Sequence, residues 1–98
     1  MKERPGARIE KAIEAQDWPK ARKLIQRELL QNRNDHWLLT RLSLTYYEEH
    51  QYHAALWLAL KALRLAPYCP LVNWDRAGSL EMLGREDEAL KLYRRLLS

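Results

Sequence analysis

The chain has 98 residues, of which 47% are hydrophobic and 31% charged, with a net charge of +4. This suits one domain, residues 1–98, rather than two; it is too apolar for a disordered chain and too weakly basic to mark a nucleic-acid binder by charge alone. Its one cysteine, Cys69, excludes an internal disulfide and a multi-thiolate zinc site and leaves a reducing cytoplasm as the default location.

With 3 glycines and 4 prolines, chain-breakers are too few for an all-β domain, so long helices with few corners are expected. The first helix is predicted near residues 5–15. Asp17 is a good N-cap with Pro19 tolerated in the first turn behind it, which starts a second helix over 18–31. The polar run Asn32 to Asp35 ends in another capping residue. Behind it Trp37, Leu38, Leu39, Leu42, Tyr46 and Tyr47 recur at three- and four-residue steps, giving a helix over 36–49. Ala55, Leu56, Ala59, Leu60, Ala62 and Leu63 do the same over 52–65. Pro67 and Pro70 bracket a break, a fifth helix runs over 70–83, Gly84 ends it in the left-handed conformation, and a sixth covers 86–97. These pair as three antiparallel hairpins.

Offset against itself by 34 residues, the sequence repeats. Ala21, Ala55 and Ala89 fall in register, as do Leu24, Leu58 and Leu92, then Leu29, Leu63 and Leu97. Arg27, Lys61 and Arg95 form a fourth row, and Trp18 aligns with Tyr52. Rows that hold across three copies are the signature of a repeat architecture.

With this period the chain resembles the tetratricopeptide repeat family. The middle copy carries the likeness best, in Leu39, Leu42, Ser43, Tyr46, Tyr52, Ala55, Ala59, Ala62 and Pro67. The third copy matches in Ala77, Leu80, Gly84, Ala89, Tyr93 and Leu96. The first is degenerate: it keeps Ala12, Trp18, Ala21 and Ile25 but has Ile9 where a small residue is expected. Arg8 and Arg76 stand where the middle copy has Leu42. The resemblance implies an all-α right-handed superhelix, an α-solenoid of three hairpins (repeats near 2–35, 36–69 and 70–98). It also implies a protein-interaction module without chemistry or cofactor of its own, whose first helices line a concave groove.

On that register the groove includes Glu14 in copy one, Trp37, Thr40, Leu44, Tyr47 and Glu48 in copy two, and Trp74, Gly78, Glu81 and Met82 in copy three. The best-known groove of the family clamps a terminal carboxylate with lysines and asparagines. At those registers this chain has Gly6, Glu10, Thr40, Leu44, Trp74 and Gly78, with no cation or amide donor, so that ligand is rejected. Aromatic anchors beside a row of carboxylates (Glu14, Glu48, Glu81) suit a protein or peptide partner with an apolar segment carrying Lys or Arg. Trp74 is open between two placements: in the groove on this register, or in the core on a register shifted by one residue, which would relieve Asn73 of a core position.

Other functions find little support. His50 and His53 beside Glu48 and Glu49 do not make the three or four converging ligands of a metal site. Cys69 has no histidine partner, and no phosphate loop or nucleophile elbow occurs, so no enzyme is expected. The basic row on the second helices is ordinary helix surface, making nucleic acid an unlikely partner. No run approaches the ~20 apolar residues of a membrane span, and Met1 to Arg8 lacks the apolar stretch of a signal peptide. The alternative function is self-association. Leu90, Leu92, Tyr93, Leu96 and Leu97 fall on the last predicted helix with no further helix to cover them, so Leu92 and Leu96 are the expected contacts of a homodimer.

Overall fold

The computed structural model describes residues 4–98 and consists of six α-helices: α1 Pro5–Glu14, α2 Trp18–Gln31, α3 His36–Glu48, α4 Tyr52–Leu65, α5 Pro70–Met82 and α6 Glu86–Leu97. There is no strand among the described residues. Lys2 and Glu3, at the start of the first expected repeat, lie outside them. The sequence-based bounds agree to within a residue at each helix end, because the corners carry clear chemistry. Asp17 accepts a hydrogen bond from the Lys20 N–H and Asp35 one from the Leu38 N–H, each at 3.2 Å, so two of the six starts are capped by carboxylates.

The 34-residue period reappears in the backbone. After α1, α3 and α5 the chain turns through one left-handed residue: Gln16 at φ 57°, His50 at φ 63° and Gly84 at φ 83°. Each turn is closed by the same bond five residues back, Asp17 N–H to the Ala12 carbonyl, Gln51 to Tyr46 and Arg85 to Leu80, at 3.0, 2.9 and 2.9 Å. The corners after α2 and α4 form a second matched pair, with Asn32 N–H bonded to the Glu28 carbonyl and Ala66 to Ala62. Only the third copy puts glycine at the left-handed position, where other residues meet a steric cost. Gln16→Gly is therefore expected to stabilise the fold by about 0.5–1 kcal/mol. A raised urea midpoint at unchanged m-value is the confirming observation, and a lowered one would contradict it.

Each helix packs on its chain neighbour, and α3 also packs on α5. The molecule measures 46 × 24 × 21 Å, so it is about twice as long as it is wide. One core cluster joins Ile9, Ile25, Leu38, Leu39, Leu42, Leu58, Ala62 and Val72; a smaller one joins Leu56, Ala77, Leu80, Ala89 and Leu92. Alanines Ala21, Ala55, Ala59, Ala62 and Ala77 are wholly buried, which lets paired helices approach closely. Ile9 is wholly buried too, so the first copy fills with one larger side chain the place that Ser43 and Ala77 hold in the others. The Ser43 hydroxyl is satisfied by donating to the Ala55 carbonyl at 2.8 Å, tying α3 to α4.

The other departures from the repeat are settled at the surface or by polar contacts. Arg8 is exposed. Arg76 is half-buried in the smaller cluster's margin, where burial and the neighbouring Arg95 charge lower its pKa. Asn73 holds the loop in front of α5: its amide donates to the Pro67 and Cys69 carbonyls at 2.9 and 3.0 Å. A polar residue is needed there, which removes the reason to shift the register by one.

Candidate functional site

With Asn73 tied to the loop, the next residue turns the other way. Trp74 is 48% exposed and lies on the side of α5 that faces α3. There a cavity of about 210 Å³ opens between α3, α5 and α6, lined by Ser43, Leu44, Tyr47, Trp74, Asp75, Gly78, Ser79 and Tyr93. Four of the sequence-predicted groove residues, Leu44, Tyr47, Trp74 and Gly78, thus meet around one space.

The aromatic walls are braced. Trp74 meets Tyr93 edge-on, with centroids 5.0 Å apart, and the Tyr93 hydroxyl donates to Glu81 Oε1 at 3.0 Å. Tyr47 meets Tyr52 edge-on at 5.4 Å, and the Tyr52 hydroxyl lies 2.6 Å from His50 Nδ1. Such edge-to-face pairs fix ring orientation as well as adding contact energy. Room for the cavity comes from Gly78, which occupies the register of Leu44 one repeat earlier: a Cβ there would already sit 3.5 Å from the Tyr47 ring.

Burial shifts the titratable groups around the cavity. Burial raises the Tyr47 hydroxyl pKa, helped by Tyr52, Glu81 and Glu48. Tyr93 is pushed up to about 12 by burial and by its bond to Glu81. The Asp75 carboxyl is pushed up to about 7 by burial, partly countered by the Arg41 guanidinium. Its Oδ2 is buried without a hydrogen-bond partner, as is the hydroxyl of Ser79, which is wholly buried. Buried polar groups are nearly always paired; the other buried side-chain atoms without a hydrogen-bond partner belong to Glu10, Arg22, Arg41, Glu49 and Arg76, and the two on Asp75 and Ser79 belong to residues around one space. Arg41 itself pairs with Glu10 on α1 at 3.8 Å.

The remaining predicted residues lie elsewhere. Glu48 and Glu81 are exposed beside the cavity, and their charges are felt at Tyr47. Glu14 and Met82 are exposed but do not line it. Trp37 is half-buried against the larger core cluster and lies over Gly6 of α1, whose Cβ would be 3.7 Å from its ring. Thr40, expected on the groove stripe, is instead wholly buried, with its hydroxyl bonded to the Trp37 carbonyl at 2.7 Å.

The expected dimer contact needs a correction of placement. Leu92 is 8% exposed and packed with Leu56, Leu80 and Ala89, because its repeat row is the buried face of the second helices. Leu96 is half-buried, and the leucines that α6 presents to solvent are Leu90 and Leu97, the latter 76% exposed. Trp57 is 60% exposed with the Lys61 ammonium 4.7 Å above its ring, a cation–π contact that accounts for it without a partner.

Sequence reasoning missed Ser43, Asp75, Ser79 and Tyr93 as cavity residues. A usable signal was present: Asp75 and Arg41 are 34 residues apart, and residues one repeat apart lie at the same height on adjacent helices. A second, wider cavity of about 570 Å³ also went unforeseen, between α4, α5 and α6; Leu56, Leu80 and Leu92 lie in its wall with Arg76, Arg94 and Arg95. His50 and Glu49 are engaged structurally, Glu49 by an ion pair with Arg22. Among the described residues no group of three His, Cys, Asp or Glu side chains could hold a metal ion, and no helix is long and apolar enough to cross a membrane.

No family model matches the chain, and no curated protein matches it.

Proposed function

We propose that this chain is a protein-interaction adaptor or scaffold whose groove between α3 and α5 binds a peptide or helix bearing apolar and cationic side chains. In this reading the helices form three tetratricopeptide-like hairpins wound into a right-handed superhelix, and the protein carries out no chemistry. The observation behind it is the cavity in which Leu44, Tyr47 and Trp74 converge with Asp75, Glu48 and Glu81 nearby. The matched corners at Gln16, His50 and Gly84 support the repeat itself, and the lone Cys69 is compatible with a cytoplasmic setting. Aromatic side chains that are partly exposed and rigidly braced give contact area at low entropic cost, the usual character of binding hot spots.

The test is a titration of two helical peptides, identical except that one carries Lys and Arg and the other Glu and Asp on the polar face. The basic peptide is expected to bind more tightly, with the difference shrinking as salt rises. Trp74→Ala is expected to weaken it by roughly 30-fold or more, the size of a hot-spot truncation. Tighter binding of the acidic peptide would overturn the groove assignment and turn attention to the basic wall of the wider cavity.

A further inference from the structure

Resting on the groove reading, we infer that the cavity bounded by Tyr47, Trp74, Tyr93, Asp75 and Ser79 is a receptor for a single alkylammonium group, the side chain of a partner's lysine. Size is the first argument. At about 210 Å³ the space falls below the roughly 300–1,000 Å³ typical of small-molecule pockets, so it takes one side chain rather than a cofactor.

Wall chemistry is the second. Three electron-rich rings surround it, and ring faces attract cations, more strongly when the cation is desolvated. Leu44 supplies an apolar side for the methylene stem of a long cationic side chain.

The third argument is the pair of orphaned oxygens. Asp75 Oδ2 and the Ser79 hydroxyl, the latter on a wholly buried side chain, have no hydrogen-bond partner in the folded chain. An ammonium group carries three donors and no acceptor. Neither oxygen is exposed on the cavity's surface, so an ammonium drawn to the Asp75 carboxylate pairs with them once a small side-chain shift opens them to the cavity. A neutral apolar side chain would leave both unsatisfied, at a cost that favours the cation. A carboxylate ligand would meet Asp75 and Glu81 as like charges.

The charged and titratable groups facing Asp75 are Arg41 and Tyr47 from α3 and Tyr93 from α6, with Glu81 held by Tyr93. Arg41 is the one cation among them, and it is shared with Glu10. Both tyrosines stay protonated at neutral pH because their pKa values are raised. Asp75, held up to about 7 by burial, is the group that changes charge there. A cation bound against it favours the ionised form, so uptake at pH 6 releases a proton and affinity rises from pH 6 to pH 8.

The test uses the full chain and n-butylammonium, the lysine side chain without its backbone, with 1-butanol as the neutral counterpart. Binding is read from the Trp74 indole and Gly78 amide resonances. Saturable shifts are expected with butylammonium and much weaker ones with butanol. Asp75→Asn is expected to lower butylammonium affinity at least tenfold, and Gly78→Leu, which restores the leucine found at Leu44, to fill the cavity and abolish binding. Equal responses to butylammonium and butanol, or unchanged binding by Asp75→Asn, would overturn the proposal. A basic peptide whose lysines are replaced by norleucine separates it from the groove reading. Undiminished binding of that peptide at the groove overturns the lysine receptor while the groove stands; butylammonium binding without any peptide binding supports the receptor and removes the groove reading.

Discussion

Replacing Ile25 by alanine is expected to cost about 2–5 kcal/mol, the range for deleting a buried aliphatic side chain from a packed interior. Ile25 is wholly buried and joins the same cluster as Ile9, Leu39 and Leu58, so the vacated volume is walled by several helices. Collapse into it would require α2 to move relative to α3. For a domain of this length each kcal/mol corresponds to about 4–8 °C in Tm, so the melting transition should fall by at least about 8 °C. The experiment also tests whether the degenerate first copy is integral to the fold. If α1 and α2 were an independent, weakly attached unit, the substitution would leave the main transition in place and add an earlier one. A single transition shifted downward supports one cooperative core, and a loss below about 1 kcal/mol would contradict the packing described for Ile25.

The second large effect is expected from Asp75→Asn, and it depends on pH. The folded-state pKa is about 7, above the roughly 3.9 of an aspartate in an unfolded chain. Below pH ~4 both states hold the proton and the carboxyl makes no differential contribution. Between about pH 4 and 7 the unfolded chain has lost a proton that the folded chain keeps, so stability falls as pH rises. Above pH ~7 the folded chain carries a buried carboxylate and the loss is complete, on the order of 2–4 kcal/mol. Asparagine has nearly the same shape and no charge. The variant should therefore match the wild type near pH 4 and exceed it increasingly up to pH 8, as measured by urea unfolding at several pH values. A stability difference that stays constant across that range would contradict the burial of Asp75. Because the variant is expected to fold better than the wild type at neutral pH, a loss of ammonium binding in it cannot be attributed to unfolding. A residue that costs stability while lining a cavity is the pattern expected of a binding group rather than a packing group.

Much of this architecture was legible before any coordinates. Helix ends followed from Asp17, Asp35, Pro67, Pro70 and Gly84, whose effects on the backbone are local and need no tertiary contact. The period of 34 placed Ala21, Ala55 and Ala89 at close-packed positions because a small side chain recurring at a fixed interval has one simple use in stacked helices. Leu44 and Tyr47 could be assigned to one stripe of α3 from helical spacing alone, while Trp74 stayed open between groove and core. Other features depended on how neighbouring helices meet. Asn73 looked misplaced until its amide was seen to hold the Pro67 and Cys69 carbonyls. Thr40 shares the stripe's spacing yet is buried, since periodicity gives the angle around one helix and not the position of the helices beside it. Leu92 looked available for a partner because the end of α6 was judged without the depth of Leu56 and Leu80 behind it. The charge state of Asp75 is set by the same kind of fact. An aspartate is ionised by its own chemistry, and only burial where the helices meet holds its proton near neutral pH.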